Sequence, residues 1–256
     1  IQFTRFLPLL TGRGAHITVR IQEALRRLYI DNFPDMDVTF DLGMRKDFDY
    51  QIPLMSLASA FDATIATMPR SVPYLRPNAE RVEKWRERIG TDGFKIGIAW
   101  QGNPKFGADR FRSIALKEFL PLASVPGIRL ISLQWVGGTS QLQGIGDTLR
   151  IETLGEEVVN NPDGFREVAA VMENLDLLIT SDTGPAHLAG ALGRPIWVAL
   201  NRRPDWRWMN EGTTTPWYPT MRLFRQQTLG DWSGVFNAIA DELRPVVAGT
   251  ASPLPS

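Results

Sequence analysis

The stretch "LDLLITSDTGPAHLAGALGRPIWVAL", Leu175 to Leu200, decides how this chain of 256 residues is read. "LDLLIT" is a continuous apolar run with β-branched members, the pattern of a strand covered on both faces. "PIWVAL" is a second run of that kind. Between them Pro185 to Leu192 favour a helix, with Pro in the first turn and Gly193 then Pro195 closing the end. The predicted unit is βαβ, and "SDTG" is its turn from strand to helix. In open α/β sheets ligands bind beyond the carboxyl ends of strands, where helix N-termini present unpaired N–H groups. Gly184 lets a ligand approach the backbone, and the helix dipole favours an anion there. Thr183 adds a hydroxyl, and His187 falls in the first turn. A second reading fits the turn equally well: Asp182 or Thr183 caps the helix, and His187 is a satisfied polar residue near the core.

Composition narrows the classes. Lys plus Arg and Asp plus Glu stand at 28 each, so no global field points to nucleic acid or to an anionic membrane. There is no cysteine, which excludes disulfides and thiolate chemistry. With two histidines and no carboxylate spacing of a dedicated site, no metal is expected. No apolar run approaches about 18 residues, so no transmembrane segment is expected. The chain opens at Ile1 inside an apolar helical pattern and reads as an excerpt of something longer.

The order of elements suggests two successive Rossmann-like domains, 1–90 and 91–246, with a ligand between them and a disordered tail at 247–256. In the first, "IQFTRFLPLL" reads as a helix, "AHITVRI" as a strand and "QEALRRLYI" as a helix. Strands at "DVTF" and "FDYQIPL" and a short helix at "SLASAF" follow. "PNAERVEKWRERIG" places Val82, Trp85 and Ile89 on one face of a charged helix, and Gly90 to Gly93 form a break. The second domain runs through strand "KIGIAWQG", helix "ALKEFLPLA", strands "IRLISLQ" and "LRIETLG", and helix "DGFREVAAVMENL". The unit holding His187, strand "MRLFRQ" and helix "WSGVFNAIADEL" complete it.

The loop "WQGNPKFGADRFRSI" carries Lys105, Arg110 and Arg112 against a single acid, Asp109. At a strand's carboxyl end it suits a phosphate clamp, Arg giving bidentate donors and Lys a mobile charge. An ordinary solvated basic loop is the commoner fate of such a cluster, but parallel topology would put this one beside "SDTG". In "SLQWVGG", Gln134 can reach a nucleobase edge and Trp135 can stack or pack. "NRRPDWRWM" interleaves Arg202, Arg203 and Arg207 with Trp206 and Trp208, which suits single-stranded nucleic acid; the even charge favours a lid or packing. There is no "GKS" or "GKT" loop, no dinucleotide "GxGxxG" and no nucleophile elbow.

"GNPKFGADRFRSI", "SLQ", "SDTGPAHLAGALGRPIWVAL", "PDWRWM" and "PWYPTMRLFRQ", in this order, resemble the catalytic domain of family 9-like, heptosyltransferase-related bacterial glycosyltransferases. The similarity is to the branch often fused behind tetratricopeptide repeats. The resemblance implies a GT-B fold, α/β with two Rossmann-like domains facing a cleft and the final helix, around Trp232 to Leu243, packing back across the domain boundary. It also implies metal-independent, inverting transfer of a sugar from a nucleoside-diphosphate donor to an acceptor hydroxyl, on a glycan, lipid or protein. It puts Thr183, Gly184, Pro185 and His187 at the diphosphate, Asp182 near the donor sugar, and Asn103, Lys105, Arg110, Arg112 and Ser113 in the basic loop facing the same phosphates. Gln134 falls at the base. No cofactor beyond the nucleotide sugar is implied, and the location is cytoplasmic or peripheral at the inner membrane. The family's first helix follows a strand and a "GxGD"-type loop whose Asp is taken as the general base. That strand and Asp are therefore expected upstream of Ile1. Competing readings are a non-catalytic nucleotide-sugar-binding scaffold and a GT-B epimerase, for which Glu156 and Glu157 would serve as acid and base.

Overall fold

The computed structural model describes residues 1–43, 47–135, 137–155, 158 and 163–255. The helices are α1 (Leu7–Thr11), α2 (Glu23–Asn32), α3 (Leu57–Ala60), α4 (Ala79–Ile89), α5 (Asp109–Arg112), α6 (Gln141–Ile145), α7 (Gly164–Glu173), α8 (Gly184–Ala191) and α9 (Trp232–Val247). The strands are β1 (Thr18–Arg20), β2 (Asp37–Thr39), β3 (Phe94–Ala99), β4 (Ile128–Ser132), β5 (Ile151–Glu152), β6 (Leu177–Ser181), β7 (Ile196–Leu200) and β8 (Met221–Arg225). β1 and β2 form a small parallel sheet; the other six form a parallel sheet in the order β5-β4-β3-β6-β7-β8. Chain direction across that sheet reverses between β3 and β6, the topological switch point of a Rossmann-type sheet.

The two central runs behave as their composition dictates: every residue of β6 and β7 is buried. One face of the large sheet is covered by α9 and a 3-10 helix at Leu116–Ser124, with the Phe119 and Phe236 rings 4.2 Å apart. Pro121 inside that segment removes a backbone donor, which accounts for a 3-10 rather than an α-helix. The other face is covered by α7 and α8, and on these lies the first region. Trp85, Leu28 and Phe6 share one continuous core with Val168, Ala169 and Leu188. Glu167, buried on α7, accepts from Trp85 Nε1 at 2.8 Å and pairs with Arg81. Asn174 Nδ2 donates to the Val82 carbonyl at 2.9 Å. Gly90, at a φ of 74°, ends α4 in the left-handed conformation that glycine adopts without strain.

Several expectations are corrected. The segment "FDYQIPL" forms no strand among the described residues, since Tyr50 is 94% and Ile52 46% exposed and an alternating pattern has no surface to cover. The opening helix is split into a 3-10 turn, Gln2–Phe6, and α1, with Pro8 in its first turn. α9 does not reach back to the first region; its buried side chains join a cluster drawn from residues after the break. Nor does the end trail away. α9 continues through Pro245 to Val247, and the Pro253 carbonyl accepts from Trp197 Nε1 at 2.8 Å. Glu156 and Glu157 lie outside the described residues.

Candidate functional site

The two loops singled out by charge and by "SDTG" leave adjacent strands, β3 and β6, at the switch point. They meet at Gly102. A Cβ there would lie 2.2 Å from Asp109 Oδ1, 3.0 Å from Arg112 Nη2 and 3.2 Å from Thr183 Cγ2, so only glycine fits. Asp109 is buried and organises the basic loop, accepting from Arg112 Nε at 3.1 Å and from Ser113 Oγ at 2.6 Å. Ser113 Oγ in turn accepts from the Gly102 amide at 3.0 Å. The loop is thus built around a carboxylate, with Arg112 as its inner cation. Arg110 lies over the Phe111 ring and Arg112 over Phe106. Asn103 and Lys105 are exposed, and the Asn103 side chain accepts from the Lys105 amide.

At the head of α8, Thr183 occupies the N-cap position but its hydroxyl makes no capping bond. It donates instead to the Ser181 carbonyl at 3.3 Å. The helix therefore begins without a side-chain acceptor for its first N–H groups, the condition under which an N-terminus takes an external anion. Pro185 sits in the first turn. Burial raises the pKa of Asp182, against the pull of the Trp208 indole and Arg112. His187 bonds through Nδ1 to Tyr218 Oη at 2.9 Å and stacks on Trp208, centroids 5.3 Å apart at 20°. Burial, with the positive charges of Arg207, Arg112 and Arg5, pushes its pKa down to about 3, so the imidazole is neutral at physiological pH.

These groups face a cleft of about 1530 Å³ between the two regions. Of the residues picked out by sequence, Arg110, Arg112, Asp182, Gly184 and His187 line it. Asn103, Lys105, Ser113, Thr183 and Pro185 stand behind or beside that wall. Gln134 departs from its expected place: its Oε1 accepts from the amides of Trp100 and Gln101 and its Nε2 donates to the Gln101 carbonyl. It clasps the ends of β3 and β4 rather than facing a nucleobase. Trp135 packs edge-on to Phe165 at 5.0 Å and over Gly164.

Other members of the wall come from the loop expected as a lid or packing, and from residues the sequence reading passed over. The "NRRPDWRWM" loop is held by Arg225, whose guanidinium donates to the carbonyls of Trp208, Met209, Glu211 and Gly212. It brings Arg203 and Arg207 to the cleft, and Arg207 binds Asp205 and Gln2 Oε1, each at 2.6 Å. From the first region come Arg20, Glu23, Phe40 and Met55. Their signal in the sequence was faint, since exposed residues on short elements carry no period.

Residues 161–226 match the profile of glycosyltransferase family 9 (heptosyltransferase). Over 97% of its length the chain is 24% identical to protein FlbA of Caulobacter vibrioides, and it spans 45% of that protein. Among solved structures, it resembles the E. coli ADP-heptose LPS heptosyltransferase II at a TM-score of 0.64 and 13% identity, covering 97% of this chain and 94% of that one. It also resembles the glycosyl transferase family 9 protein of Veillonella parvula at 0.57 and 14%, covering 97% and 92%. The fold is α/β with a parallel sheet, of the GT-B heptosyltransferase type, and the family match falls on the segment that contains α8 and His187.

Proposed function

We propose that this chain is the donor-binding part of a glycosyltransferase that moves a sugar from a nucleoside diphosphate to an acceptor hydroxyl. The observation that carries the reading is the uncapped start of α8 at the switch point, with Arg112 fixed beside it by Asp109 and His187 in its first turn. A leaving diphosphate develops charge as the glycosidic bond breaks, and pre-oriented N–H groups and guanidinium cations stabilise that charge without a metal. In this reading Arg110, Arg112 and the α8 N-terminus hold the diphosphate, and His187 donates to it. Asp182 meets the donor sugar. The acceptor enters from the side of Arg20 and Glu23, and attack opposite the diphosphate gives inversion. No cofactor is called for, and the acceptor is a glycan, lipid or protein.

The general base and the fused tetratricopeptide repeats belong to the whole protein, and a chain spanning 45% of a curated relative leaves room for them. A cytoplasmic or membrane-peripheral location completes the reading; among the described residues no helix is long and apolar enough to cross a membrane.

Titrating ADP, UDP and GDP into the chain by calorimetry tests the reading. One of them should bind, and Arg112→Ala should weaken it by at least about tenfold, since a charged hydrogen bond contributes about 1.5–3 kcal/mol. Binding unchanged in Arg112→Ala would remove the donor site. Binding retained with no transfer to any acceptor by the full-length protein would favour the scaffold reading.

A further inference from the structure

Behind His187 lies a chain of polar groups that starts in the first region. Arg5 is buried, and its guanidinium donates to the carbonyls of Gln2 at 3.0 Å, Pro69 at 2.9 Å and Trp217 at 2.8 Å. It also donates to Tyr74 Oη at 3.3 Å and lies against the rings of Tyr74, Trp217 and Tyr218. Tyr74 Oη, which accepts from Arg5, is placed to donate to the Ile1 carbonyl at 3.5 Å. Tyr218 Oη, fully buried, completes the chain at His187 Nδ1.

The direction of these bonds follows from the donor inventory. A guanidinium only donates, so the tyrosyl oxygens turn lone pairs toward Arg5 and their protons away from it. The Tyr74 proton turns to the Ile1 carbonyl. For the Tyr218 proton the partner within hydrogen-bond distance is His187 Nδ1, a basic imidazole nitrogen. Tyr218 therefore donates to Nδ1, and the imidazole proton sits on Nε2. Stacking on Trp208 fixes the ring plane, and the Nδ1 bond fixes rotation within it. The ring's other nitrogen is left to the cleft that His187 lines.

We infer that Tyr218, oriented by Arg5, is a positioning residue that holds His187 in the Nε2–H tautomer and so presents a neutral N–H donor to a diphosphate oxygen. The diphosphate half rests on the donor-site reading above; the tautomer does not. The groups around the ring agree: the Ile1 ammonium, Arg207, Arg112 and Arg5 disfavour an imidazolium, Asp109 and Asp205 are paired with Arg112 and Arg207, and Asp182 is pushed toward its neutral form. A neutral donor keeps the same hydrogen bond across the physiological pH range, where a histidine cation would lose its charge.

Two measurements test this, and they fail separately. With one other histidine in the chain, His16→Gln leaves a single imidazole for ¹⁵N NMR of the full chain. The ring should show Nε2–H and unprotonated Nδ1, unchanged from pH 5 to 8. An Nδ1–H tautomer or an imidazolium in that range overturns the inference. Tyr218→Phe keeps the ring that packs against Gly190 and removes only the hydroxyl. It should populate the Nδ1–H form and weaken ADP or UDP binding several-fold, and the binding loss should vanish in a His187→Ala background. Equal losses in both backgrounds overturn the positioning role. If neither nucleotide binds the wild-type chain, the diphosphate half falls with the donor site, and the spectrum still decides the tautomer.

Discussion

Among the described residues, 94–225 hold a six-stranded parallel sheet covered on both faces, whereas 1–89 hold two strands of three residues each, only partly buried. The first of these regions organises the second only in part, but the reverse dependence is strong. Trp85, Leu28 and Phe6 find their cover on α7 and α8, so the first region owes its core to the second. The cleft inherits this asymmetry. Its β6–α8 wall is built into the sheet, and its opposite wall of Arg20, Glu23, Phe40 and Met55 is carried by short elements.

The contrast breaks first at Glu167. Glu167→Ala removes the buried acceptor of Trp85 and the partner of Arg81, and should destabilise the chain by about 2–3 kcal/mol. Trp85 lies on α4, so its fluorescence should fall at lower denaturant than the circular dichroism of the large sheet. Coincident transitions would show the two regions to be one cooperative unit.

His187→Ala acts on both walls. Loss of the Tyr218 bond and the Trp208 stack should cost about 1–2 kcal/mol of stability, and nucleoside diphosphate affinity should fall about tenfold to a hundredfold. The pH dependence carries a sign. The folded pKa of His187 is depressed to about 3 from the ordinary 6.5. Its contribution is therefore present above pH 6.5 and is lost as pH falls toward 3. Melting curves between pH 8 and 5 should drop more for the wild type than for His187→Ala; parallel drops would place the titration elsewhere.

A smaller effect of opposite sign is expected at Asp182. Burial holds its carboxyl above the ordinary range, so ionisation at neutral pH weakens the fold. Asp182→Asn should raise stability at pH 7 by about 0.5–1 kcal/mol while lowering transfer activity in the full-length protein, a trade expected of a functional group held under strain. A lower melting temperature would contradict it. Smallest is Lys105→Ala. The side chain is exposed, so nucleotide affinity should fall only a few-fold at low salt and the difference should fade by about 0.15 M, beyond which surface charges are screened.

The same asymmetry governs what could be read without coordinates. Strands buried on both faces write themselves as unbroken apolar runs, and β6, β7 and most of β3 were legible for that reason. α4 was legible from the period of Val82, Trp85 and Ile89. "FDYQIPL" carried a pattern but had no partner surface, which composition cannot reveal. Asp182, Gly184, His187, Arg110 and Arg112 line one cleft, and that grouping was legible because parallel strand order brings their loops to one sheet edge. Gln134 was misplaced because an amide that closes two strand ends looks, in sequence, like one that waits for a base. Arg5 and Tyr218 were missed since their contacts join segments distant in the chain, from the bond of Tyr218 to His187 to that of Arg5 to the Trp217 carbonyl.

The rear of α8 carries a further consequence. Its last carbonyl, Ala191, accepts from the Tyr74 amide at 2.9 Å and the Leu75 amide at 3.3 Å, both from the first region, and a Cβ on Gly190 would strike the Tyr218 ring at 2.4 Å. A helix pinned at its tail and flush along its side has no room to slide. Past its uncapped first turn, the amides of Leu188 to Ala191 should exchange with solvent only on global opening, while those of residues 103–108 exchange in the folded state. A ligand arriving at the head of α8 would then meet a surface already ordered, and the entropy lost on binding would fall on the basic loop alone.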